Sequence, residues 1–369
     1  MRVLVAGHTA PGGVFTVGSH HLAREMAAAG HDVVHLSSPV SLLHLARARD
    51  PEVRRRLHLA RGTHEAAPGV PGLLPLTVLP LSVGPLAVGP LALRTALPAL
   101  RRSLAAVGAD DVDVLLVDQP LAWGLEQVVR CRTMVYRSTD VVEAPAKLAG
   151  EARLVAKADG LVATSAYVLA GLRRHRADLP SLVLDNGVDF SRFAAPGGEG
   201  RRGSVYVGAV DDRFDWEAVR SLAEAAPCEP VDVYGPPRVP VPHLPGNVVL
   251  HGEVAYERTP DLLRGARVGL LPFARTPMNA GRSPMKLFEY LAAGLQVVTT
   301  MPPSVSPAPP GVHLLDAGTS AVDVMGRALA EGVNAAGLDA ARSMDWAARA
   351  QTLVDYLEEL LASSPRRAG

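Results

Sequence analysis

Residues 204–208 read Ser204-Val205-Tyr206-Val207-Gly208, a short β-rich apolar run that ends on glycine. The pattern returns at VDVYG (231–235), NVVLHG (247–252), VGLLP (268–272) and QVVTT (296–300). Between these runs lie stretches of helical spacing near 215–225, 259–265 and 284–293, and two more close the chain near 319–331 and 345–361. Apolar strands alternating with amphipathic helices specify a parallel sheet wrapped by helices. The first half carries the same alternation. Strands are expected near 2–6, 32–36, 113–117, 133–136 and 160–163, with helices near 18–29, 41–60, 93–107, 121–130, 145–158 and 165–176. A strand at 181–184 (SLVL) leads into Asn186-Gly187-Val188-Asp189, and the Gly/Arg-rich 194–203 (AAPGGEGRRG) has the composition of an exposed linker.

The chain has 369 residues, too many for one ordinary α/β core and enough for two domains of about 150 to 200 residues. We therefore expect an α/β protein with an N-terminal Rossmann-like domain over 1–185, a second over 186–343, and a closing helix and tail over 344–369. That helix carries Ala350, Leu353, Val354, Leu357, Leu360 and Leu361 at helical spacing, so one face is buried. Whether it crosses back to the N-terminal domain is open. Two parallel-sheet domains place a cleft between the carboxyl ends of their strands, where open α/β sheets bind ligands.

Charge and composition exclude several classes. Lys plus Arg equal Asp plus Glu at 37 each, and no basic stripe interleaved with aromatics is present, so a nucleic-acid partner is not expected. Cys131 and Cys228 lie far apart without a nearby His pair, which gives neither a disulfide framework nor a zinc site and fits a reducing cytoplasm. MRVLVAG at the N-terminus lacks the features of an export signal. The charge-free segment 68–93 contains six prolines, so it reads as a loop rather than a membrane span. It either folds over the N-terminal core or faces an apolar acceptor or membrane, and peripheral membrane contact through 68–93 stays open.

The chemistry concentrates in Asn279-Ala280-Gly281-Arg282-Ser283-Pro284-Met285-Lys286-Leu287-Phe288-Glu289-Tyr290-Leu291-Ala292-Ala293-Gly294. Ser283 suits an N-cap, Pro284 the first helical position and Gly294 a terminator. The open helix end offers unpaired N–H groups and a positive dipole to a diphosphate, and Lys286 in the first turn makes sense against an anion. Glu289, three residues on, is an acceptor-only carboxylate suited to the two ribose hydroxyls of a nucleotide. A plain helix cap with a solvated Lys and Glu satisfies the same spacing.

SPMKLFEYLAAG followed by an apolar strand, preceded by VGLLPF and by NGVD at the domain junction, resembles the nucleotide-sugar domain of glycosyltransferases of the B fold (GT-B). The likeness is closest to the family 4 enzymes and to the glucuronosyltransferase of xanthan assembly with its relatives. It implies that Glu289 binds ribose, that Met285-Lys286 lies against the nucleotide phosphates, and that His251-Gly252-Glu253-Val254 lines the base pocket through its backbone. Many family 4 enzymes carry a second glutamate eight residues before the ribose one; here that position is Gly281, which argues against their retaining chemistry. The Arg and Lys of their phosphate clamp after the first donor-domain strand are not plainly present; Arg213 is the nearest candidate, with a surface arginine as the alternative, and Gly208 permits close backbone approach there or is a plain strand-to-loop glycine.

After the first strand, the loop from Gly7 to His21 lacks the GxGxxG spacing of a dinucleotide site, and its strand-end position fits an acceptor-binding loop. His8, Gly12, Gly13 and Phe15 are its candidate contacts. His20 and His21, adjacent on a helix, cannot converge on a metal and read as helix surface and packing. In YRSTD (136–140), Asp140 ends another strand, and the resemblance to the xanthan-type enzymes makes it the candidate general base; the alternative is a cap for the following helix. Neither Asp110-Asp111-Val112-Asp113 nor Asp211-Asp212 forms a convincing metal-diphosphate bridge. The expected activity is thus metal-independent and cofactor-free, and inverting by the Gly281 argument: transfer of a sugar from a nucleoside diphosphate sugar to an unidentified acceptor. Retaining transfer, a sugar-nucleotide epimerase and a catalytically silent B-fold partner subunit are the competing readings.

Overall fold

The computed structural model describes residues 1–13, 16–194 and 200–363. The chain divides into two compact units, one of Met1–Leu184 with the chain from Arg349 onward, the other of Asp185–Ala348.

The first unit is built on an eight-stranded sheet in the order Ser181–Val183, Gly160–Ala163, Arg130–Ser138, Asp111–Val117, Arg2–Gly7, Asp32–Ser37, Val70–Leu73 and His64–Ala67. Neighbours are parallel except the last pair, an antiparallel hairpin. The central strands are apolar on both faces, as a sheet covered by helices on each side requires: Val3, Leu4, Val5, Leu115 and Leu116 are all buried. Arg2–Gly7 and Asp111–Val117 are adjacent, with Ala6 opposite Val117, so the chain direction across the sheet reverses between them.

Several expectations need correction in this unit. The segment 68–93 is not simply a loop: Val70–Leu73 joins the sheet beside Asp32–Ser37, and Val70, Leu73 and Leu74 are core. Proline is tolerated because Pro71 lies on a short strand near the sheet edge and the parallel ladder uses only Gly72 and Leu73. The helix expected near 121–130 does not form, and only two 3₁₀ turns, Pro120–Ala122 and Leu125–Gln127, stand there. Between them Gly124 takes a φ of 92°, which breaks any helix, and a Cβ on it would collide with Pro90.

The second unit holds a six-stranded, wholly parallel sheet in the order Val248–Gly252, Val231–Tyr234, Ser204–Val207, Val268–Leu271, Gln296–Thr299 and Val312–Leu314. Counted along the unit, the third, second and first strands are followed by the fourth, fifth and sixth. This is the doubly wound order, with its crevice outside the carboxyl ends of Ser204–Val207 and Val268–Leu271. Its two faces pack separately, one around Phe288, Leu291 and Val297, the other around Val219, Val233 and Val324. Helix Trp346–Ser363 closes the chain, and within the first unit its Tyr356 hydroxyl accepts from Leu161 N (3.1 Å) and donates to Pro180 O (2.8 Å).

His20 and His21 are both buried on helix Gly18–Ala28, so the expectation of a surface placement fails and the packing one stands. The ring centroids of His20 and His35 lie 4.7 Å apart, and Nε2 of each is buried without a hydrogen-bond partner. Burial lowers His20 from 6.5 to about 4 and His35 to about 3. Both are therefore neutral in the folded state and titrate normally once unfolded. Stability is fully present above about pH 6.5 and falls as pH drops toward 4, by about 1.4 kcal/mol per pH unit for each histidine that stays neutral. Urea midpoints at pH 7.5 and pH 5.5 should differ accordingly, and His35→Gln should flatten the slope. An unchanged slope in the variant removes His35 from the account.

Candidate active site

The crevice of the second unit is shaped by three glycines at the carboxyl ends of adjacent strands: Gly208, Gly235 and Gly252. Gly208 N donates to Tyr234 O (2.8 Å) and Gly235 N to Gly252 O (2.6 Å), which stitches the three ends together. A Cβ on Gly235 would strike the Gly208 carbonyl, and one on Gly208 would strike Cε and Nζ of Lys286. Gly208 is thus the seat over which the Lys286 side chain lies, with its Nζ 5.4 Å from the Tyr206 ring centroid.

Lys286 stands in the first turn of helix Met285–Ala292. Its ammonium is held below its ordinary pKa, first by burial and then by Arg282, with Arg213 adding repulsion; Glu289 and Asp211 oppose the shift. Three cations therefore converge on the crevice. Arg213 is placed by Asp211, whose carboxylate accepts from Arg213 Nε at 3.1 Å and from its backbone N at 3.1 Å. Asn279, buried, pins the same loop by donating from Nδ2 to Arg213 O (3.0 Å) and Ala274 O (2.7 Å). Arg282 lies over the Phe273 ring at 5.6 Å, next to a pocket lined in part by Pro284, Thr299 and Met301.

Ser283 is not the N-cap that its position suggests. The helix begins at Met285 with Pro284 as N-cap, and no side chain caps its first turn. The Ser283 hydroxyl instead accepts from Asn186 N (3.0 Å), and Asn186 Nδ2 donates to Ser283 O (2.7 Å). The Asn-Gly-Val-Asp motif thereby clips the segment before the helix, and the helix end stays open.

Glu289 is 8% exposed and accepts one hydrogen bond, from the Tyr256 hydroxyl at 3.3 Å. Burial raises its pKa, against the pull of Lys286, Tyr256 and Arg192. Arg192 covers the Tyr256 ring at 4.4 Å and Phe193 meets that ring edge-on at 6.1 Å. His251 stacks on Tyr234 (4.3 Å, 10° between planes) and lies 2.6 Å from Asp232, so its imidazole is spent on the sheet edge; Val254 follows half-buried.

In the first unit the corresponding strand ends carry His8, Asp118 and Asp140. Asp118 continues from Asp111–Val117, and its N–H donates to Ala6 O (2.9 Å), which sets it beside Gly7 and His8. Its carboxylate makes a 2.6 Å ion pair with Arg137 in which both side chains are 1% exposed. His8 is exposed, yet partial desolvation of its ring by the surrounding protein lowers its pKa, while Asp118 and Asp140 pull the other way. Asp140 is exposed in the bend after Arg130–Ser138, and Ser138 Oγ donates to its carbonyl (3.2 Å). It does not cap the following helix, Pro145–Lys157, whose N-cap is Ala144. Gly12, with a φ of 70°, and Gly13 are exposed, and the Arg55 guanidinium beside them donates to Pro11 O. Phe15 lies outside the described residues. Among the described residues no group of three His, Cys, Asp or Glu side chains is placed to hold a metal ion, and no helix is long and apolar enough to cross a membrane.

The whole architecture has counterparts among solved structures. Sucrose-phosphate synthase from Thermosynechococcus elongatus superposes with a TM-score of 0.68 at 15% identity, over 98% of this chain and 100% of that one. HepE of Anabaena, solved in complex with UDP and glucose, gives 0.64 at 14% identity, over 97% and 100%. The chain has the glycosyltransferase B fold. Within this B-fold chain, residues 213–357 match the family described as glycosyl transferase-like. A putative teichuronic acid biosynthesis glycosyltransferase of Bacillus subtilis (strain 168), TuaH, is 27% identical over 174 residues, 42% of this chain and 44% of that protein. The B-fold chain thus spans less than half the length of that curated relative in the match.

Several residues of these B-fold sites escape a reading of the sequence. Arg282 sits inside the quoted motif, but its approach to Lys286 depends on the irregular turn before the helix. Arg192, Tyr256 and Glu289 are far apart in the chain, and nothing in their local sequence announces the stack. Gly235 did carry a signal, as the second of the strand-ending glycines at 208, 235 and 252.

Proposed function

We propose that this protein transfers a sugar from a nucleoside diphosphate sugar to an acceptor hydroxyl, without a metal ion and with inversion at the sugar carbon. The observation that carries the reading is Lys286 laid over Gly208 at the switch point of the second sheet, with Arg213 and Arg282 nearby and the buried carboxylate of Glu289 one turn along the same helix. A diphosphate over Gly208 meets backbone at close range, three cations and an uncapped helix end. Glu289, with one protein donor, accepts from the ribose hydroxyls, and the strand end at His251, Gly252 and Val254 borders the base. The acceptor is held by the loop carrying His8, Gly12, Gly13 and Phe15. Its hydroxyl oxygen attacks the sugar carbon, the bond from that carbon to the diphosphate oxygen breaks, the electron pair leaves with the diphosphate, and the hydroxyl proton passes to Asp140. A cytoplasmic location supplies such donors.

Calorimetry with a nucleoside diphosphate tests the donor site: Glu289→Ala should weaken binding by about 1 to 3 kcal/mol, the scale of a lost charged acceptor. Unchanged affinity in a folded variant takes Glu289 out of the site. Leaving-group stabilisation by Lys286 and the arginines needs no divalent ion, so donor consumption should survive EDTA. A large loss restored by Mg²⁺ or Mn²⁺ overturns the metal-independent reading.

A further inference from the structure

Half of the large apolar side chains exposed among the described residues fall between Leu42 and Leu97. They include Leu43 (67%), Leu86 (65%) and Leu91 (55%), with Val83, Leu97 and Leu45 each more than half exposed. Backbone pairing draws the two ends of this stretch together. Val40–Ser41 runs parallel to Leu76–Thr77, so the chain leaves this small ladder at the same end toward Leu42 and toward Val78. Leu97 N donates to Leu76 O (2.7 Å) and Val78 N to Thr95 O (3.2 Å), which brings the far end of the segment back to the same ladder. Between them stand a two-stranded hairpin, with Val83 opposite Leu86, and the short helix Gly89–Arg94.

The charge around this surface is one-sided. Residues 38–107 hold nine arginines against Asp50, Glu52 and Glu65, in a chain whose formal net charge is +0. Arg47, Arg49, Arg94, Arg101 and Arg102 are all exposed, and they flank the apolar residues at both ends of the segment. Apolar side chains standing out of a surface rimmed by arginine match an interface with apolar depth and anionic headgroups. A soluble partner protein would need its own acidic rim, and a second copy of this chain would bring the same arginines face to face.

We infer that the surface built from 42–49 and 78–102 docks the first unit on an anionic phospholipid bilayer, with Leu43, Val83, Leu86 and Leu91 entering the headgroup region and the arginines lying at the phosphates. Most of 68–77 takes no part, since it is core and sheet. If this unit binds the acceptor as proposed above, a bilayer-borne acceptor follows, but the docking itself is independent of that reading.

The test is flotation of the full chain with phosphatidylcholine vesicles, with and without phosphatidylglycerol. The protein should float with the anionic vesicles at low salt, stay behind with the neutral ones, and be released by high salt. Leu43→Glu/Leu86→Glu should abolish flotation, and Arg101→Glu/Arg102→Glu should weaken it at least about tenfold. Thermal melts confirm that these exposed substitutions leave the fold intact, and activity on a soluble acceptor or donor hydrolysis should not change. Failure of the wild type to float with anionic vesicles overturns the inference. So does flotation of both double variants equal to wild type, or a wild-type dimer dispersed by Leu43→Glu/Leu86→Glu without any vesicle binding.

Discussion

Asp140→Asn should lower turnover by about 10² to 10⁴ while leaving nucleoside diphosphate affinity nearly unchanged. An acceptor hydroxyl attacking opposite the leaving diphosphate must lose its proton as the new bond forms. Asp140 suits that task because it stands exposed just beyond the strand Arg130–Ser138, does not cap the helix that follows, and shares its surroundings with His8. Asparagine keeps the shape and removes the basic site, so the defect falls on the transition state and not on donor binding. Near-normal turnover in the variant removes Asp140 as base. A product whose anomeric configuration matches that of the donor removes inversion even if Asp140 proves essential.

The second large effect is on stability. Arg137→Leu should destabilise the first unit by about 3 to 5 kcal/mol, because it strands the Asp118 carboxylate at a site where both partners are 1% exposed. Burial already raises the pKa of Asp118 and Arg137 is the main influence holding it down, so losing the guanidinium favours the protonated acid. The double variant Arg137→Leu/Asp118→Leu should recover much of the loss, since replacing a whole buried pair by apolar groups is often close to neutral. Urea unfolding of the three variants checks this. A single variant as stable as wild type shows that the pair is better solvated than its burial indicates, and a double variant no better than the single one removes the pairing argument.

The sequence by itself determined the repeating strand–helix alternation, the division into two α/β units and the placing of Lys286 and Glu289 on one helix. These are local properties. Strand and helix periods are written in successive residues, and Lys286 and Glu289 share one helix, so their spacing alone sets them on neighbouring faces. The alternation also located Gly208 and Asp140 at strand ends, where an α/β sheet binds ligands. Only the tertiary structure decided what surrounds them. It drew Ser283 away from the cap position because Asn186, 97 residues earlier, takes its hydroxyl. It brought Tyr256 and Arg192 over Glu289, Arg282 toward Lys286, and Asp118 against Arg137, through strand order and loop closure that no short window encodes. It also sorted the proline-rich segment into buried strands and an exposed apolar edge. Composition cannot make that division: the same leucines are core at 73 and 74 and surface at 86 and 91, according to whether a sheet stands next to them.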